Sequence, residues 1–276
     1  MTNIATFEEL ASQKDDDLDV ALGAALIARD VYPEVDVTEI LGRLDELASP
    51  IASSDFAART AQGQADGLAH HLYDACGFVG NEADYYDPKN SLLPDVLERR
   101  LGIPISLALV YCEVAKRAGI VARGVAFPGH FIVRIETGSE DALFVDPFFG
   151  GRALDDDGLK KILSRVTGDQ RPVLPRYLEA ASSRSMLVRM LVNLRAIYLS
   201  RGDMARAMLA VDRVICLTPD APEPLRERGL LSMRLGANEA AKSDLERFLE
   251  LVPNAHDAPA IRARLKELRA KPRVTN

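Results

Sequence analysis

Beyond residue 190 the chain repeats itself at a fixed distance. Gly202 and Gly236 stand 34 residues apart, and the same offset relates Ala207 to Ala241, Val211 to Leu245, Ile215 to Leu249, Leu217 to Leu251 and Pro219 to Pro253. Six matched pairs at one offset restrict the fold to stacked two-helix units. Each position has a physical reason. Gly permits the tight turn between helices, a small Ala lets the helices approach closely, and Pro stops the second one. In LSRGDMARAMLAVDRVICLTPD and MRLGANEAAKSDLERFLELVPN the apolar residues after each Gly recur at helical spacing.

This segment, from Met190 to about Arg269, resembles tetratricopeptide (TPR) arrays, although most large aromatics of that pattern are absent. Two units fall short of the three usually needed to bury a continuous core. APAIRARLKELRAKP reads as a polar-faced capping helix, and the missing burial is expected from docking on the rest of the chain or from a partner. TPR arrays present concave helical faces to peptides, so the resemblance implies a protein or peptide partner. The alternative is an array that only braces the main domain.

Charge divides the chain at the same place. Residues 184–276 carry 17 Lys and Arg against 11 Asp and Glu, whereas residues 1–183 carry 17 against 30. The basic tail reads as solvated helix faces, with no nucleic-acid partner expected. No run of about 18 apolar residues occurs, so no membrane span is expected. MTNIATFEEL lacks the basic and then apolar segments of a signal peptide, and a cytoplasmic location is expected. Cys76, Cys112 and Cys216 are an odd, widely spaced set, unsuited to a disulfide framework or a zinc site. No cofactor or metal is expected. With no Trp and 6% aromatics, a base-stacking or carbohydrate surface is not expected either.

The first 80 residues read as helices: FEELASQKDDDLDVALGAALIARDVYP, then DVTEILGRLDELAS with an Asp cap three residues before a Glu, then DFAARTAQGQADGLAHHLYDACG. His70 and His71 on the third point about 100° apart and cannot share a ligand face. After a polar stretch come LPDVLERR and LGIPISLALVYCEVAKRAGI, whose almost wholly apolar segment from Ile103 to Ala118 predicts a buried helix. Pro104 suits its first turn and Gly119 its end. Ser106, Glu113 and Arg117 fall on one stripe of it. The Pro-containing QRPVLPRY separates a first domain, 1–180 with a core at about 86–155, from TPR-like repeats at 186–270.

Between these lie three expected strands, 121–127, 130–136 and 142–147. A hairpin centred on Gly138 sets Phe131 opposite Val145 and Val133 opposite Leu143 on an apolar face, and His130 opposite Asp146 on the other. Facing Cβ atoms lie about 5 Å apart, within reach of a carboxylate–imidazole hydrogen bond. The alternative is two unrelated polar groups on a half-exposed sheet face.

A buried helix opening at a tight Gly turn, a strand carrying His and a strand ending in Asp-Pro follow the order of transglutaminase-like (papain-type) cysteine enzymes. NSLLPDVLERRLGIPISL, GVAFPGHFIVR and FVDPFFGGRAL resemble more closely the SirB-type transglutaminase-like proteins, which carry similar leading helices and trailing TPR repeats. The resemblance covers roughly residues 18–268 and implies an α+β fold, a helical region and a helix-plus-antiparallel-sheet core before an all-α array. It also implies that His130 and Asp146 match the superfamily's base and its orienting acid.

The nucleophile is where this chain departs. Active members open the buried helix with a Cys, whose thiolate the helix dipole favours. Here no Cys lies between Gly102 and Tyr111. Cys112 is two turns further in, about 12 Å from Pro104 along the axis at 1.5 Å per residue. Ser106 is the only hydroxyl near the helix start. The expectation is a non-catalytic interaction or regulatory protein with a degenerate site. The alternative is an atypical hydrolase or acyl transferase using Ser106, His130 and Asp146.

Overall fold

The computed structural model describes residues 6–136 and 142–270. By its contacts the chain divides into two compact units, residues 1–190 and 191–276. The fold is α+β.

The first unit begins with short helices set by their caps. Thr6 and Glu9 form a capping box that starts α1 (Phe7–Ala11). The acidic run that follows makes a 3₁₀ turn, Asp15–Asp17, and Asp19 caps α2 (Val20–Arg29). The single long helix expected here is therefore broken, because Ser12 ends α1 and Asp19 offers a fresh cap to the next. In α3 (Val37–Ala48), Asp36 accepts from the Thr38 amide at 2.8 Å. The third expected helix is also divided, into α4 (Ser54–Ala57) and α5 (Ala61–Ala69), each started by its own Ser or Thr cap. At its end α5 widens into a π-helical turn over His70–Ala75.

α6 (Leu93–Arg99) ends at Arg100, which adopts the left-handed conformation at φ 59°. α7 (Pro104–Arg117) is buried along most of its length, with Pro104 in its first turn and Gly119, at φ +77°, just past its end. Arg117 ties its far end to Glu113 at 2.5 Å and to Asp45 at 2.6 Å. Two-residue strands β1 (Val79–Gly80) and β2 (Leu101–Gly102) pair in parallel beside the start of α7.

The main sheet is antiparallel in the order β3 (Ala122–Val125), β4 (Ile132–Glu136), β5 (Ala142–Asp146), β6 (Arg152–Leu154). Val133 faces Val145 and Ile135 faces Leu143, so the expected pairing of Phe131 with Val145 and Val133 with Leu143 is shifted by two residues. The expected turn centre, Gly138, lies outside the described residues. Because side chains alternate with a period of two, this slip preserves which face each residue occupies. α8 (Asp156–Thr167) closes the sheet, burying Leu159, Ile162 and Leu163 against Val125, Phe127 and Ile132.

α9 (Ser183–Ser200) runs from the first unit into the second. There α10 (Met204–Leu217), α11 (Pro222–Arg234), α12 (Asn238–Leu251) and α13 (Ala258–Ala270) follow. Gly202 and Gly236 turn the chain at φ +75° and +77°, Ala207 and Ala241 are fully buried, and α10 and α12 end just before Pro219 and Pro253. A Cβ on Gly229 would lie 2.7 Å from Leu245 Cγ, so Gly sets the closeness of α11 to α12. Arg228 joins Asp212 on α10 to the buried Asp244 on α12. The capping helix α13 buries Ile261, Leu265 and Leu268.

Candidate functional site

His130 sits in the turn after Pro128-Gly129, just ahead of β4, and Asp146 closes β5. The imidazole Nε2 lies 3.0 Å from Oδ1 and 2.9 Å from Oδ2 of Asp146. His130 reaches the carboxylate from two residues ahead of the strand, not from the directly opposed position expected. Oδ1 also accepts the Phe148 amide at 3.0 Å, which fixes the carboxylate as the cap of the Pro147–Phe149 turn. A carboxylate on Nε2 holds the proton there and leaves the Nδ1 lone pair as the basic atom. Both groups are largely withdrawn from solvent, with side-chain exposures of 11% and 3%.

Aromatic rings flank the imidazole. Phe149 stacks on it and Phe148 meets it edge-on, both with centroids 6.2 Å away. Phe148 contacts Tyr85 at 6.1 Å, and Tyr85 contacts Tyr86 at 5.4 Å. Tyr85, Tyr86 and Phe149 are exposed. Tyr73, on the π-helical turn, packs against Gly151, and burial pushes its hydroxyl well above the usual range, with Tyr111 and the Asp146 charge adding to the effect. It therefore stays a neutral phenol beside the dyad. None of these rings was foreseen as part of the site. For Tyr85, Tyr86, Phe148 and Phe149 the sequence signals are the paired aromatics of DYYDP and DPFFGG.

The start of α7 is built around Ser106. Its hydroxyl donates to the Asn90 carbonyl at 2.6 Å and accepts the Ile103 amide at 3.0 Å. Ser106 is 2% exposed, and a Cβ on Gly102 would come within 2.7 Å of its Oγ, so that turn closes tightly over it. Asn90, itself fully buried, accepts from Asn81 at 3.0 Å and donates to the Asp84 carbonyl at 2.7 Å. Through this chain of bonds Ser106 anchors the loop that carries Tyr85 and Tyr86. The structure thus brings His130 and Asp146 together, while Ser106 bonds to neither.

Cys112 lines a different cleft of about 510 Å³, bordered by Glu113, Lys116 and Arg123 and by neither His130 nor Asp146. Burial pushes its thiol well above the ordinary range, and the Glu113 charge adds to this. Among the described residues no group of three or more His, Cys, Asp or Glu is placed to hold a metal. No helix there is long and apolar enough to cross a membrane.

Comparison with known proteins agrees with this architecture. Residues 38–192 match the model of the transglutaminase-like superfamily, and residues 194–266 match a tetratricopeptide repeat. A UPF0162 protein of Xylella fastidiosa is 38% identical over 95% of this chain and 94% of its own length. One from Pseudomonas aeruginosa is 33% identical over 89% of each. F-box only protein 21 of Pongo abelii is 29% identical over 70% of this chain but only 32% of itself. With over half its length matching that superfamily and such relatives along nearly all of it, the chain belongs to the UPF0162, SirB-like family of transglutaminase-like proteins with tetratricopeptide repeats.

Proposed function

We propose that this protein acts by binding, as a regulatory or scaffolding component whose transglutaminase-like domain no longer carries a nucleophile, and whose TPR region takes a protein or peptide partner. The carrying observation is the state of Ser106. Its one hydroxyl proton is donated to the Asn90 carbonyl and its lone pair accepts the Ile103 amide, so the hydroxyl in the first turn of α7 serves as a buried cap. The superfamily's thiol has no counterpart at that position, and Cys112 is a protonated thiol on another cleft. Cysteine catalysis needs a thiolate within hydrogen-bond reach of its base, roughly 3 Å. On this reading the work divides at the QRPVLPRY segment, with the domain at 1–180, the repeats at 186–270 and a cytoplasmic setting.

One observation favours a second reading. The His130–Asp146 pair keeps the tautomer that a general base requires, with Nδ1 available. An atypical hydrolase or acyl transferase using Ser106, His130 and Asp146 would need Ser106 to leave its cap and turn to that nitrogen. Peptide hydrolysis and amine incorporation by the wild type, Cys112→Ala, Ser106→Ala and His130→Ala separate the readings. No turnover by any of the four is the expected result. Turnover lost in Ser106→Ala and His130→Ala alone would promote the second reading, and turnover lost in Cys112→Ala would refute the first.

A further inference from the structure

The π-helical turn that ends α5 builds a second cluster, away from the dyad. In an α-helix His71 and Cys76, five residues apart, would stand about 140° apart around the axis. The wider i→i+5 turn, closed by the Cys76 amide on the His71 carbonyl at 2.9 Å, brings them together, with Sγ 3.8 Å from Nε2. π-bulges of this kind often mark functional positions. His71 Nε2 is 2.7 Å from the Leu47 carbonyl, which can only accept, so that nitrogen carries a proton and donates it to the carbonyl, with the Cys76 sulfur alongside.

Two arginines line the cleft beside this pair. Arg43 and Arg100 line a cleft of about 210 Å³ with Glu46, Leu47, His71 and Cys76. Among the described residues Arg100 is the one non-glycine residue held at positive φ, a conformation that normally selects Gly after a helix. Its guanidinium lies 4.8 Å over the Phe78 ring, and its carbonyl accepts the Val79 amide at 2.8 Å. Neither Arg43 nor Arg100 joins an ion pair among the described residues, and the charged residues of the lining are two arginines and one carboxylate, Glu46. Cys76 keeps partial exposure at this cleft.

We propose that Cys76, His71, Arg43 and Arg100 form a thiol site that captures small anionic thiol-reactive compounds, with an acidic low-molecular-weight disulfide as the fitting reactant. The Cys76 thiol gives its proton to water. The thiolate then attacks one sulfur of that disulfide, a new S–S bond forms, and the original S–S bond breaks. The departing thiolate takes a proton from water, so Cys76 is oxidised and half of the reactant is reduced. The two arginines of the lining favour the incoming anion. The cleft holds only a small molecule, and Leu47, Pro50 and Leu97 supply its apolar wall.

The test compares two disulfide probes on the full chain, anionic dithiobis(nitrobenzoate) and uncharged dithiodipyridine, with modification at each Cys followed by peptide mass spectrometry. The anionic-to-neutral rate ratio at Cys76 should exceed that at Cys216 by about tenfold at low salt. It should fall toward the Cys216 value in Arg43→Gln and in Arg100→Gly. The second variant removes the charge but suits the left-handed backbone, so loss of folding does not confuse the result. A ratio at Cys76 equal to that at Cys216, or one unmoved by both substitutions, would overturn the proposal.

Discussion

Ser106→Ala separates a structural hydroxyl from a catalytic one. The substitution deletes the acceptor of the Ile103 amide and the donor to the Asn90 carbonyl, two bonds of 3.0 and 2.6 Å in a fully buried setting. The alanine variant leaves a buried N–H and a buried C=O without those partners, at about 1–3 kcal/mol each when nothing replaces them. The Ile103 carbonyl, 3.1 Å from the hydroxyl, can only accept and so cannot replace the lost donor to Asn90. Allowing for partial relaxation, the expected loss is about 2–4 kcal/mol. Against a domain stability of about 5–15 kcal/mol this is large, and it corresponds to a fall in melting temperature of roughly 5–12 °C for a unit of this size. Differential scanning calorimetry of the wild type and Ser106→Ala reads this directly. A variant within about 0.5 kcal/mol of wild type would refute the reasoning, because a nucleophile can be removed without unfolding its scaffold whereas a cap cannot.

Further outcomes follow from the same geometry. Gly229→Ala should destabilise the repeat region by about 1–3 kcal/mol, since its Cβ would meet Leu245 Cγ at 2.7 Å; a melt of the full chain checks it. Asp146→Ala should free both His130 Nε2 and the Phe148 amide, and ring-nitrogen NMR of His130 should lose its fixed tautomer. Cys112, Tyr111 and Tyr73 all hold their protons more tightly when folded than their ordinary values of 9.0 and 10.0 allow. The unfolded chain therefore binds fewer protons above about pH 9, and stability must fall as pH rises through that range, by up to about 1.4 kcal/mol per pH unit for each group. Urea melts between pH 8 and 11 should show the fall, with a smaller slope in Cys112→Ala.

Elements with a strong period were legible in the sequence. The 34-residue register placed the turns at Gly202 and Gly236 and the close contacts at Ala207 and Ala241 because each position answers a local demand. The buried helix, now α7, was readable from its apolar run and its flanking Pro104 and Gly119. The hairpin was less so: alternation names the faces of a strand but does not fix its partner, so Val133 proved to face Val145, two residues from the expected pairing. His130 and Asp146 still meet because His130, in the turn two residues ahead of β4, reaches the carboxylate that closes β5. The two-residue strands β1 and β2 are too short to carry a period at all. The aromatic rings around His130 come from separate chain segments, and only folding brings Tyr85, Phe148 and Phe149 together. The π-helical turn at His70–Ala75 defeated helical arithmetic for the opposite reason: its angle per residue is not that of an α-helix.

Mass spectrometry of the folded protein after exposure to a serine-directed fluorophosphonate tests the central claim most directly. An activated serine attacks phosphorus and keeps a stable adduct, whereas a capping hydroxyl with its proton on the Asn90 carbonyl does not. The account predicts no mass increase at Ser106, in wild type and in His130→Ala alike. A stoichiometric adduct on Ser106 that disappears in His130→Ala would contradict it.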